Sequence, residues 1–133
     1  MTTYRLATTP ADYRKCRALV RQHDSPKPMT FPTVMAVRDG QVIGVLGTQK
    51  RDDMIVAGPF VLAHKSPFVV LHLLDAYDLV MRRAGIVAYH FYIDPGNAHW
   101  QAQVERLGFT AWSRDEAGGA WYRRSLEPIR REA

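Results

Sequence analysis

The sequence predicts an α+β, or mixed α/β, fold in which helices cover a largely antiparallel sheet. Three observations predict it. Segments of strand-like and helix-like patterning follow one another along the chain, with three consecutive strands in the middle and two at the end. Thr9-Pro10 and Ser66-Pro67 each place a hydroxyl N-cap directly before a proline that suits the first helical position. Asp39-Gly40, flanked by apolar runs, is the strongest hairpin signal in the chain. At 133 residues, 47% of them hydrophobic, the chain makes one domain with a sizeable core. That domain is read as residues 1–126, with 127–133 as a C-terminal tail.

Residues 4–7 read as a short strand. A helix follows from the Thr9 cap, with Asp12 placed to reach back in a box-like arrangement. Tyr13, Cys16, Val20 and His23 share one face of it. Residues 23–28, His-Asp-Ser-Pro-Lys-Pro, end the helix in a loop. Strands at 33–37 and 41–49 flank Asp39-Gly40, and a polar turn at 50–53 leads to a third strand at 54–62. Gly58-Pro59 interrupts that strand. Proline cannot donate to a ladder, so a bulge, or a place where neighbouring strands part, is expected there.

Ser66 caps the longest helix, 66–84. Val70, Leu74, Tyr77 and Met81 line one side, Leu71, Leu73 and Val80 widen the buried face, and Gly85 stops it. Residues 86–93 form an apolar and aromatic strand. A helix at 97–107 opens on Asn97, an N-cap type, carries Trp100, Val104 and Leu107 on one face, and ends on Gly108-Phe109. Residues 110–112 and 120–122 form a terminal hairpin around a polar, glycine-containing turn.

Composition narrows the functional classes. The net charge of +5 favours acidic partners only weakly, because the basic residues form no single block. Arg82-Arg83 suit a helix C-terminus, and Arg123-Arg124 and Arg130-Arg131 lie near the chain end. Solvated faces are favoured over a nucleic-acid site. No apolar run is long enough to span a bilayer, and the N-terminus lacks a signal-peptide core. The single cysteine, Cys16, excludes an intramolecular disulfide, and no pair among the five histidines has metal-ligand spacing. A cytoplasmic location, no membrane partner and no metal are expected.

The order of elements, together with the Asn97…Gly108-Phe109 signature, resembles the GNAT N-acetyltransferases, an acyl-CoA-dependent superfamily. The resemblance covers nearly the whole chain, from 4 to 126. Within the superfamily it is nearest in character to small GNAT-like proteins carried by phages. It implies a parallel, splayed pair formed by the strands at 55–62 and 87–93, diverging near Phe60, with helix 66–84 crossing between them. It implies acetyl-CoA or a related acyl-CoA as cofactor. The cofactor would be held by strand backbone at Phe60, Val61 and Leu62, by Lys65 and Ser66 at the following helix start, and by Asn97. The implied reaction is acyl transfer, in the first instance acetyl transfer, to an amine.

Two departures from the family pattern stand out. The family's phosphate loop, Gln/Arg-x-x-Gly-x-Gly/Ala, corresponds here to Lys65-Ser66-Pro67-Phe68-Val69-Val70, so Phe68 and Val70 replace the glycines. Phe68 is accordingly expected to be buried, filling space that cofactor occupies in relatives. Val104 stands where the family commonly has an acidic Tyr. No catalytic residue follows from the sequence; Tyr89, His90 and Tyr92 are substitutes to test, with His64 and His99 the other histidines near the cleft. Trp100, Trp112 and Trp121 read as packing rather than base-stacking platforms. The rival reading is a GNAT-like binding or structural module without catalysis, such as a phage accessory or virion component, with a homo-oligomeric or protein assembly partner.

Overall fold

In the computed structural model, which describes residues 1–23 and 27–126, the elements run β1 (Thr2–Leu6), α1 (Pro10–His23), β2 (Thr30–Arg38), β3 (Gln41–Arg51), β4 (Met54–Leu62), α2 (Pro67–Arg83), β5 (Ala88–Ile93), α3 (Ala98–Val104), β6 (Thr110–Arg114) and β7 (Ala120–Ser125). The predicted tail at 127–133, and Asp24, Ser25 and Pro26 of the predicted loop, lie outside the described residues. All seven strands form one sheet, ordered β1-β2-β3-β4-β5-β7-β6. Every pairing is antiparallel except β4 with β5, so the predicted mixed sheet is present.

Local chemistry explains where the helices begin and end. Thr9 and Asp12 close a reciprocal capping box: Asp12 N–H donates to Thr9 Oγ1 at 3.1 Å, and Thr9 N–H donates to Asp12 Oδ2 at 3.3 Å. Arg5 on β1 clamps the same carboxylate with two bonds of 3.0 Å, joining the strand to the helix. Ser66 Oγ accepts from Val69 N–H at the start of α2. Both α2 and α3 end in Schellman turns. Gly85 (φ 76°) and Gly108 (φ 90°) take the left-handed position, and the next residue, Ile86 or Phe109, donates back to Met81 or Val104. The regular part of α3 is therefore shorter than the predicted 97–107, its last turn being given over to the cap.

The helices take opposite faces of the sheet. Val69, Val70, Leu73, Leu74, Tyr77 and Met81 of α2 pack with Val34, Ala36 and Leu46 of the sheet, and with Tyr89, Val104 and Phe109. Cys16, Leu19 and Val20 of α1 pack with Met35, Val45 and Val61. The alternation of Val34 and Ala36 against Met35 is the period-two pattern of a strand covered on both faces. His23 does not join the inner face of α1; it is exposed in the last turn. Leu71, predicted on the buried face of α2, is 45% exposed.

Two polar networks cross the larger core. Tyr77 and Thr48 share a hydrogen bond, and Thr48 Oγ1 also donates to Pro32 C=O at 2.6 Å. Tyr89 Oη donates to Asp78 Oδ1 at 2.7 Å, and Asp78 pairs with Arg124 on β7. Each member has a partner, so these groups are tolerated in the interior.

Candidate functional site

The site arises where β4 and β5 part. Their parallel ladder holds at one position, Val56 opposite His90. Beyond it β4 carries a bulge: Leu46 faces Phe60 while Thr48 faces Ala57, which leaves one extra residue on β4 in the Gly58-Pro59 step. The splay thus opens at Ala57–Gly58, slightly earlier than the expected Phe60, because the bulge lies before that residue.

Backbone alternation determines what β4 offers to the gap. Ala63 N–H donates to Ile43 C=O on β3 at 2.8 Å. Two residues back, Val61 also turns its peptide groups to β3, so Phe60 and Leu62 turn theirs to the opposite edge, facing the splay. The side chains alternate as well. Phe60 and Leu62 line the cleft, while Val61 is buried among α1 residues on the other face. Of the three strand residues proposed from the sequence, Val61 contributes no side chain to the cleft.

The cleft has a volume of about 1070 Å³, comparable with a site for an extended ligand. One end is formed by the start of α2: Lys65, Ser66, Pro67, Val70 and Leu71. The middle is lined by Val56, Phe60, Ile93, Asn97 and Trp100, with the Phe60 and Trp100 rings 6.3 Å apart. The lining also includes Lys27, Gln49, Tyr92, Asp94 and Trp121, and Arg51, which pairs with Met54 at the end of β4 farthest from α2. Lys65, Ser66 and Asn97 therefore share the lining of one cleft with Phe60 and Leu62. Asn97 differs from expectation in one respect. Its side chain makes no capping bond to α3, which leaves the amide to the cleft.

The structure separates the three candidate proton carriers of β5. Tyr89 is fully buried, bonded to Asp78, and burial pushes its hydroxyl well above the usual range. His90 lies on the opposite face of the strand, its ring 4.4 Å from Trp112; burial and then Arg123 lower its pKa. Tyr92 alone of the three lines the cleft. Its hydroxyl donates to Asp115 Oδ2 at 2.5 Å, which raises the Tyr92 pKa and lowers that of Asp115. Asp115 Oδ1 accepts Gly119 N–H at 2.8 Å, so the β6–β7 turn is wrapped around the Tyr92 hydroxyl. A Cβ on Gly119 would collide with that hydroxyl, which explains a glycine whose φ is unexceptional.

Other sequence candidates fall away from the cleft. His64 is exposed and does not line it, and the His99 side chain lies outside the described residues. Val104 is in the core, and Gln103 beside it faces the cleft. The expectation that Phe68 is buried is wrong: it is 74% exposed. Val69 and Val70 occupy the inward positions, and a helix turns by about 100° per residue, which carries Phe68 to the outside. Trp100 and Trp121 line the cleft, whereas Trp112 is half exposed on β6. Gln49, Arg51, Asp94 and Gln103 line the cleft as well. Their only sequence signal was proximity to the bulge and to Asn97.

Among the described residues no cluster of His, Cys, Asp or Glu could hold a metal, and no helix is long and apolar enough to cross a membrane. The chain matches no family model and no curated protein. The sheet order, the splayed β4/β5 pair and the cleft at their divergence define the GNAT N-acetyltransferase fold, and solved structures bear this out. The ribosomal-protein-S18-alanine N-acetyltransferase of Escherichia coli superposes with a TM-score of 0.75 at 14% identity, over 99% of this chain and 97% of that one. The putative acetyltransferase yncA of Salmonella typhimurium, solved with its cofactor acetyl-CoA, gives 0.75 at 16% identity over 100% and 98%. A GNAT-family acetyltransferase of Staphylococcus aureus Mu50 gives 0.75 at 10% identity over 96% and 100%.

Proposed function

We propose that the chain is an acyl-CoA-dependent N-acyltransferase, acting first as an acetyltransferase on an amine-bearing substrate. The observation that carries this reading is the β4 edge at Phe60 and Leu62, turned into an apolar cleft that also receives the uncommitted Asn97 amide. Backbone donors and acceptors along such an edge suit the amides of a pantetheine arm, and the walls exclude water around it. Bound acyl-CoA would supply the activated acyl thioester. This chain's residues bind and orient it: Phe60 and Leu62 through their backbone, Asn97 through its side chain, and Lys65 as a cation for phosphate. Tyr92 is the candidate proton-holding group in this reading, because it is the one tyrosine of β5 that lines the cleft; its hydroxyl would have to leave Asp115 to serve there.

Acetyl-CoA titrated into the protein in a calorimeter tests the reading. Saturable heat is expected, and Lys65→Ala is expected to weaken binding about three- to tenfold through loss of one charge-assisted contact. No heat and no thermal shift with excess acetyl-CoA would overturn it. The second reading, a binding or structural module that keeps the fold without the chemistry, is favoured by Val104 at the family's tyrosine position and by the missing loop glycines. A null titration would leave that reading standing. A phage-related origin, a cytoplasmic or virion-associated location, and a homo-oligomeric or other protein partner belong to these proposals and rest on the resemblance alone.

A further inference from the structure

We infer that the donor end of the cleft recognises a phosphopantetheine arm and makes no use of a nucleotide attached beyond it. This rests on the acyl-thioester reading above and concerns which part of the donor the protein holds.

A nucleotide bearing several phosphates needs donors and positive charge where the cleft meets α2. The first turn of that helix has few to offer. Pro67 has no N–H, Val69 N–H is bonded to Ser66 Oγ at 3.4 Å, and Val70 N–H is bonded to Ser66 C=O at 3.1 Å. Phe68 N–H is the one donor of the turn left without a partner among the described residues. Ser66 Oγ accepts the cap bond, which leaves its hydroxyl proton as one further donor. Of the three cations that line the cleft, Lys65 is the one beside this turn; Arg51 pairs with Met54 at the far end of β4, and Lys27 lies by Arg17, Val20 and Arg21 of α1. The remaining surface is apolar: Pro67, Val70 and Leu71 in the wall, and Phe68 standing out at the rim. One cation, one free N–H and one hydroxyl match a single phosphate. They do not match a pyrophosphate with a further phosphate on the ribose, whose desolvation would go uncompensated.

The middle of the cleft is the reverse case. Phe60 and Leu62 present peptide groups, Asn97 presents an amide, and Val56, Ile93 and Trp100 supply apolar walls. That alternation of polar edge and apolar wall fits an extended chain containing two amides and a geminal dimethyl group. Such an arm occurs both in acyl-CoA and on proteins that carry thioesters on phosphopantetheine, and the two sources differ only beyond the first phosphate.

Calorimetry on the full chain separates them, with three probes: CoA, 4′-phosphopantetheine and adenosine 3′,5′-bisphosphate. Phosphopantetheine is expected to bind within about fivefold of CoA, and the bisphosphate to give no heat at about 1 mM. CoA binding tighter than phosphopantetheine by more than about fivefold would overturn the inference and leave the acyltransferase reading intact. Binding of the bisphosphate would also overturn it, and loss of that binding in Phe68→Ala would identify stacking of adenine on the exposed ring as the reason. If neither CoA nor phosphopantetheine binds, the acyl-thioester reading fails, and this inference with it.

Discussion

Arg124 on β7 and Asp78 on α2 form an ion pair of 2.7 Å between elements that are far apart in sequence. The Asp78 side chain is 2% exposed and that of Arg124 20% exposed. The same guanidinium donates to Leu107 C=O at 2.7 Å and lies over the Phe109 ring. One side chain therefore ties α2, β7 and the end of α3 together, and α3 carries the Asn97 and Trp100 side of the cleft. Replacing Arg124 with Met leaves the Asp78 charge buried without its partner. A loss of about 3 kcal/mol in urea unfolding is expected. A loss below about 1 kcal/mol would show that the pair contributes little.

Gly108 lies under the same guanidinium. Its φ is 90°, and a Cβ there would stand 2.5 Å from Arg124 Nη1. Gly108→Ala is expected to destabilise by about 1–2 kcal/mol, through backbone strain and displacement of Arg124. The two substitutions should not add, because removing Arg124 clears the space the new methyl needs. A double-variant cycle measured by chemical denaturation checks this, and strict additivity would contradict it.

Asp12 gives the fold a pH dependence. The hydrogen bonds from Arg5, followed by that from Thr8 N–H, hold its carboxyl well below the usual range. A depressed folded-state pKa contributes stability that is present above the unfolded value, about pH 4, and is lost as pH falls through the folded value. Asp12→Asn should thus lower the melting temperature at neutral pH, and the gap to the unaltered protein should narrow progressively below pH 4. Melting curves from pH 2 to pH 7 test this; a gap independent of pH would exclude the linkage.

Phe68 and Val70 should respond in opposite ways. Phe68→Ser alters an exposed ring and is expected to change stability by no more than about 0.5 kcal/mol. Val70 is buried against the sheet, and Val70→Gly should cost about 2–3 kcal/mol from lost packing and helix propensity. The double replacement of both by glycine would lower the melting temperature mainly through position 70, with position 68 adding only lost helix propensity. Thermal and urea unfolding of the two single variants distinguish the sites.

Local chemistry in the sequence was sufficient for the elements. The Thr9-Asp12 box, the Ser66-Pro67 start, the glycine stops at 85 and 108 and the Asp39-Gly40 hairpin each act within a few residues, and each is found where it was read. Their order was enough to indicate the GNAT fold, and with it Phe60, Leu62, Lys65, Ser66 and Asn97 as cleft residues. Direction within an element was less legible. Phe68 and Leu71 are as apolar as Val69 and Val70, and the turn of α2 against the sheet decides which of them face water. Val61 was separated from its neighbours by strand alternation, whose phase depends on the pairing with β3. Asn97 has the composition of a cap, yet its observed backbone geometry forms no capping bond. Tyr92 could not be told from Tyr89 by type or by neighbourhood. Opposite faces of one strand put the first at the cleft, bonded to Asp115 of the β6–β7 turn, and the second against Asp78 in the core. Such choices depend on contacts between residues distant in sequence, and only the packed tertiary structure brings those residues together.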